Sequence, residues 1–261
     1  MKTKVKNVVD SIVEVLKDWD GIQVVILQHF AEKDIYDPNF SITLDVFRDG
    51  ELPSRDARRD AFADASYFDP SLVDQKDRFM MNDLPVRISY KDTARVNAVL
   101  DAVDDGDAWL SMERGTYLFH RIATGSVVWS SGDWIDGVLK RLDHLPESFW
   151  SSWIESCNRR VDHLLSDMGA ASYKDDPLYF RLSLSGYLKT VAELLFAVNH
   201  VFEPGPRDIT ASLALLEILP DGFQANWASL LRDDTELPPE RKREIAEILA
   251  RGAFALNPQD G

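Results

Sequence analysis

Val5, Val8, Val9, Ile12, Val13, Leu16 and Trp19 recur at three- and four-residue spacing and predict one amphipathic helix over the first twenty positions. Asp20-Gly21 then turns the chain into "IQVVIL", whose unbroken apolar run predicts a short buried strand. "SITLDVF" follows as a second strand, rich in β-branched and aromatic residues. Its apolar positions Ile42, Leu44, Val46 and Phe47 do not alternate strictly, so one end bulges or is covered on both faces. "DGELPS" reads as a turn with Ser54 as N-cap, and residues 55–66 as a helix. "LPVRISY" is a third strand and "KDTARVNAVLDAV" the helix after it. The order α-β-β-α-β-α predicts an α+β sheet layer.

Beyond about residue 130 the strand signal stops. Helical periodicity covers 131–143, 147–168, 178–202, 208–219, 221–232 and 238–253. In the third of these, Leu184, Tyr187, Leu188, Val191, Leu194, Leu195 and Val198 form one stripe, as a buried helix requires. Pro204-Gly205-Pro206 stops it. The chain therefore divides into an α+β domain over 1–125 and a helical bundle over 126–261.

Composition narrows the functional classes. Forty-five per cent hydrophobic and 28% charged residues are ordinary for a soluble globular protein. No run approaches the ~18 apolar residues of a membrane span. The lysines of the N-terminus are not followed by a continuous apolar stretch or a small-residue cleavage site, so a cytoplasmic protein is expected. A net charge of −15 argues against a broad electrostatic grip on nucleic acid, though local Arg and Lys clusters can still hold a nucleotide. The single cysteine, Cys157, excludes an internal disulfide and a CxxC zinc site.

Three regions carry candidate chemistry. Phosphoryl or nucleotidyl transfer uses divalent cations held by carboxylates on adjacent strands. Asp45 lies on the second strand, with Asp37 before it and Asp49 after it. Such a trio would hold Mg²⁺, and equally fits ordinary polar positions around a strand. In "DQKDRFMMNDLPVRISYKD", Lys76 precedes the third strand, Arg87 lies on it and Lys91 at its end, where cations clamp phosphates. In "ELLFAVNHVFEPGPRD", Asn199 ends an apolar helix face and Arg207 follows the Pro-Gly-Pro break. Asn199 at that position faces a cleft or caps the helix. Histidines 29, 120, 144, 163 and 200 show no ligand spacing, and no Gly-rich phosphate loop or nucleophile elbow occurs. Arg114 and His120 fit a permissive Arg-x5-His pattern of some helical ribonucleases.

The element order resembles the DNA polymerase beta-like nucleotidyltransferase superfamily. The segments "DPNFSITLDVFRDGELPSRDARRDAF", "KDRFMMNDLPVRISYK", "TYLFHRI", "LPESFW" and "LLFAVNHVFEPGPR" resemble an uncharacterised bacterial branch with a helical C-terminal domain of unknown function. Aminoglycoside-modifying nucleotidyltransferases share this two-part architecture. The resemblance implies a mixed sheet with flanking helices followed by an all-α bundle, and a cleft between them. It also implies transfer of a nucleoside monophosphate from an NTP to a small-molecule acceptor with Mg²⁺ at Asp45, joined by Asp37 or Asp49. Arg87, Lys91, Lys76, Asn199 and Arg207 would contact phosphate or base. The chain departs from the superfamily motif in two places. "VVILQHFAEKD" lacks the Gly-Ser pair, and the paired acids shrink to Asp45 between Thr43 and Phe47, with Ser89 where a third acid is expected. A non-catalytic relative that binds a nucleotide or metabolite is thus the second reading, and a ribonuclease or toxin-like module built on Arg114 and His120 the third.

Overall fold

The computed structural model describes residues 3–28, 37–70, 75–113, 115–232 and 237–256. The chain folds into two compact units, residues 1–102 with 121–144, and 103–120 with 145–261. Sequence periodicity places a single boundary at 125/126; the units instead interleave. The reason is a strand at Ser126–Ser130 that hydrogen-bonds to Ile22–Leu27 and so joins the sheet.

The first unit carries a six-stranded mixed sheet of order β3-β4-β5-β2-β1-β6. These strands are β1 (Ile22–Leu27), β2 (Ile42–Arg48), β3 (Ser66–Pro70), β4 (Lys76–Met81), β5 (Leu84–Asp92) and β6 (Ser126–Ser130). β2 and β5 run parallel, and every other pair is antiparallel. Helix α1 (Thr3–Leu16) lays the predicted stripe on one face, where Val5, Val8, Val9, Ile12 and Leu16 join Val25, Leu27, Ile42, Leu44, Val46, Val86 and Ile88 in one buried cluster. Burial of this apolar area is what holds α1 to the sheet. Helix α2 (Arg55–Ala61) starts at Ser54, whose Oγ accepts from Ala57 N at 3.3 Å.

β3, β4 and β6 are absent from the sequence reading. In β4 the inward positions are Asp77, Phe79 and Met81, and the charged first member masks the alternation. Its turn into β5 was legible: Met81 pairs with Leu84, and Asn82 and Asp83 between them have φ of 51° and 59°. That is the left-handed pair demanded by a two-residue hairpin, which Asn and Asp tolerate. Asp77 is fully buried yet satisfied. Arg58 Nε lies 2.9 Å from its Oδ2 and Arg58 Nη2 3.1 Å from its Oδ1, while Tyr90 Oη donates to Oδ2 at 2.8 Å. Arg58 Nη1 also donates to Pro53 O at 2.7 Å, so one guanidinium fastens α2 to the sheet. Helix α3 (Thr93–Asp101) follows β5, capped by the Asp92 carboxylate, which accepts from Ala94 N at 2.8 Å.

The second unit is helical. It contains α4 (Gly106–Met112), the start of α5 (Tyr117–Thr124), α7 (Glu147–Tyr173), α8 (Pro177–Val198), α9 (Ile209–Leu213), α10 (Phe223–Leu231) and α11 (Pro239–Phe254), while α6 (Trp134–Leu142) belongs to the first. Asp176 caps α8 by accepting from Tyr179 N at 3.0 Å, and Pro177 opens it with a pre-set φ. The predicted stripe on α8 is buried except for Leu188, which is half-buried, and Tyr187 Oη donates to Ala246 O of α11 at 2.7 Å. The helix expected over 208–219 shrinks to α9. Asn199 takes the later residues out of helical bonding: its Nδ2 donates to Ile218 O and its Oδ1 accepts from Ile218 N, both at 2.8 Å. No helix among the described residues is long and apolar enough to cross a membrane.

Candidate functional site

The β2–β5 register builds the site. Parallel pairing sets Thr43 beside Arg87, Asp45 beside Ser89 and Phe47 beside Lys91, and side chains two apart share a face. The antiparallel β4–β5 ladder adds Lys76 opposite Ser89 and Arg78 opposite Arg87. This is the face turned away from α1. It gathers Lys76, Arg78, Arg87 and Lys91 around Asp45, with Asp69 of β3 opposite Arg78 at the edge. In a chain of net charge −15, this face is locally basic.

Asp45 is fully buried at its centre. Arg121 Nε of α5 donates to Oδ2 at 2.6 Å, and Gln28 Nε2 donates to the same oxygen at 2.9 Å. Lys91 Nζ lies 3.1 Å from Oδ1, at ion-pair distance but off the hydrogen-bonding direction. Two cations thus face one carboxylate. Gln28 also donates to Arg121 O at 3.1 Å, fixing the helix backbone as well as the acid. Lys91 Nζ sits 5.5 Å from the Phe47 ring centroid, and Phe47 packs on Trp134 at 5.4 Å. α5 can come this close because Gly125 has no side chain. A Cβ there would stand 2.3 Å from Ile26 Cγ2 and 2.9 Å from Arg121 O.

The other predicted acids have different partners. Asp37 is exposed and its Oδ1 accepts from Asn39 N at 2.7 Å, closing a local turn. Asp49 follows β2 and accepts from Thr93 Oγ1. Among the described residues, no group of three His, Cys, Asp or Glu side chains is placed to hold a metal ion. Magnesium needs anionic oxygens with free lone pairs. At Asp45 the guanidinium of Arg121 and the amide of Gln28 both occupy Oδ2, and the Lys91 ammonium already stands 3.1 Å from Oδ1, so the described residues do not fit the ion.

Of the predicted cations, Arg87 is exposed on the basic face, Lys76 is half-buried there, and Lys91 reaches Asp45. Asn199 and Arg207 belong to the helical unit. Asn199 is a C-cap whose amide also donates to Leu195 O at 2.8 Å, so its polar atoms serve the backbone. Arg207 is exposed two residues before α9. His120 lies in α5 with its ring 6.5 Å from Tyr117, and Arg114 lies outside the described residues. Sequence reasoning missed Arg121 and Gln28. Gln28 had a faint signal, as the polar end of the Val24, Ile26, Gln28 alternation on β1; Arg121 had none.

A second buried polar cluster lies in the helical unit. Glu193 Oε2 pairs with Arg160 Nη2 at 2.7 Å and Oε1 with Lys189 Nζ at 3.3 Å. Arg160 Nη2 also lies 3.2 Å from Cys157 Sγ, and its guanidinium carbon 4.9 Å from the Trp153 ring centroid. Burial, reinforced by the Glu193 charge, pushes the Glu203 carboxyl up to about 7. Burial pushes the Cys157 thiol up to about 12, against the lowering effect of Arg160.

No family model matches the chain, and no curated protein matches it in sequence. Among solved structures, the fold is similar to that of a nucleotidyltransferase-like protein from Exiguobacterium sibiricum 255-15, at TM-score 0.50 and 13% identity. The likeness covers 95% of this chain and 72% of that one. It is a likeness of fold, and the architecture described above, a mixed sheet with flanking helices and a helical C-terminal region, is a nucleotidyltransferase-like α+β fold.

Proposed function

We propose that this chain is a nucleotide-binding protein of nucleotidyltransferase-like fold that holds phosphate with side-chain cations in place of Mg²⁺. The observation that carries the reading is the fully buried Asp45 carboxylate between Arg121 and Lys91. A carboxylate already neutralised in this way has no charge to lend a metal, whereas Lys76, Arg78, Arg87 and Lys91 form a basic face suited to phosphate oxygens. Arg87 and Arg78, exposed and directly opposite each other, repel in the free protein and gain from a bridging anion. Metal-dependent transfer of a nucleoside monophosphate is the competing reading, and the lack of a second acid beside Asp45 among the described residues weighs against it.

Calorimetric titration of ATP and GTP, with Mg²⁺ and with EDTA, tests the proposal. The expected result is binding in EDTA that weakens with salt and falls about tenfold in Arg87→Ala, the loss of one charge-assisted contact. Binding that requires Mg²⁺ and disappears in Asp45→Asn, with the variant shown folded by circular dichroism, would restore the catalytic reading. Absence of nucleotide binding under both conditions removes both readings.

A further inference from the structure

Helices α8, α10 and α11 line an open pocket of about 620 Å³ within the helical unit, a volume typical of small-molecule sites. Leu184, Leu188 and Leu230 supply apolar wall, and the charged residues among those described as lining it are Arg181, Arg232 and Lys242, all cationic.

Lys242 is the informative member. It is only 9% exposed, and its ammonium donates to the backbone carbonyl of Arg232. An ammonium has three N–H donors, so this contact leaves others to direct elsewhere. No carboxylate pairs with Lys242 among the described residues. Burying an ammonium beside leucines without a counter-ion costs free energy that an incoming anion returns. A polar ligand without apolar surface would leave the leucine walls unused, and a neutral apolar one would leave the Lys242 ammonium without an anion.

We propose that this pocket binds a small amphipathic anion. Its apolar tail lies against Leu184, Leu188 and Leu230, and its single anionic head, a carboxylate or sulfonate, lies at Lys242 with Arg181 and Arg232 beside it. The site is separate from the basic sheet face and does not rest on the function proposed there.

The full chain is titrated with 8-anilinonaphthalene-1-sulfonate at low salt, and the bound dye is then displaced with decanoate or with decanol. Decanoate is expected to displace it at about one-tenth the concentration of decanol, the worth of one charge-assisted contact. Lys242→Met and the surface variant Arg181→Gln each weaken decanoate severalfold and leave decanol unchanged, while Leu188→Trp, which fills the pocket, abolishes displacement by both. Equal potency of decanoate and decanol overturns the proposal, as do unchanged decanoate affinity in both charge variants and failure of decanoate to displace the dye.

Discussion

Arg121 Nε stands 2.6 Å from the Asp45 carboxylate although 76 residues separate them in the chain. This contact fastens α5 to the middle of the sheet and decides what Asp45 can do. Its strength is directly measurable. Arg121→Ala leaves a buried carboxylate with Lys91 as its remaining cation and is expected to cost about 3 kcal/mol in urea denaturation, the range for breaking one side of a buried pair. The double variant Asp45→Leu with Arg121→Met is expected to recover most of that loss, because no uncompensated charge remains.

The Arg58–Asp77–Tyr90 group offers a graded comparison. Tyr90→Phe removes one donor and is expected to cost about 1–2 kcal/mol. Arg58→Met strips Asp77 of its counter-ion and is expected to cost about 3–5 kcal/mol. Equal losses in the two variants, measured by chemical denaturation at pH 7, would mean that the ion pair carries no more than the hydroxyl.

Stability should fall with pH because of Glu203. Its carboxyl ordinarily titrates near 4.5 and is raised to about 7 in the folded chain. Below pH 4.5 both states are protonated and the residue costs nothing. Between pH 4.5 and 7 the unfolded chain releases the proton first, so the penalty grows, and above 7 it is fully present. Glu203→Gln is therefore expected to match the parent near pH 4 and to exceed it by about 1–3 kcal/mol near pH 8. Thermal unfolding across that range checks the slope.

Cys157 should be inert while the protein is folded. The thiol is fully buried and held mostly protonated by a value near 12, and it is the thiolate that attacks. Reaction with 5,5′-dithiobis(2-nitrobenzoate) at pH 8 is expected to be slower by at least about a hundredfold in buffer than in 6 M guanidinium. Fast labelling of the native protein would show that α7 opens readily around this residue.

These groups also mark how far the sequence could be read. The α1 and α8 stripes were legible because local periodicity and burial are the same fact in a helix; Val5 to Leu16 and Leu184 to Val198 needed no distant partner. β4 was illegible because Asp77 occupies an inward position that only Arg58 and Tyr90 make tolerable, and such pairing leaves no trace in spacing. Asp45 was singled out in the sequence as a metal ligand on β2, and in the fold it is fully buried and paired with Arg121. Its partners were not, since Arg121 arrives from a helix placed by tertiary packing. Asn199 illustrates the opposite case: of the cleft and cap roles that its position at a helix end suggested, it fills the cap.

Gly125 bears on all of this without touching a charge. Its backbone is not left-handed, so the glycine is required for thickness and not for conformation. The missing methyl acts as a spacer gauge: it sets how near α5 rests on Ile26, and hence whether a guanidinium one turn earlier can reach the sheet at all. An inventory of polar contacts would pass over position 125. Yet the ion pairing of Asp45 with Arg121 is inherited from an absent carbon atom.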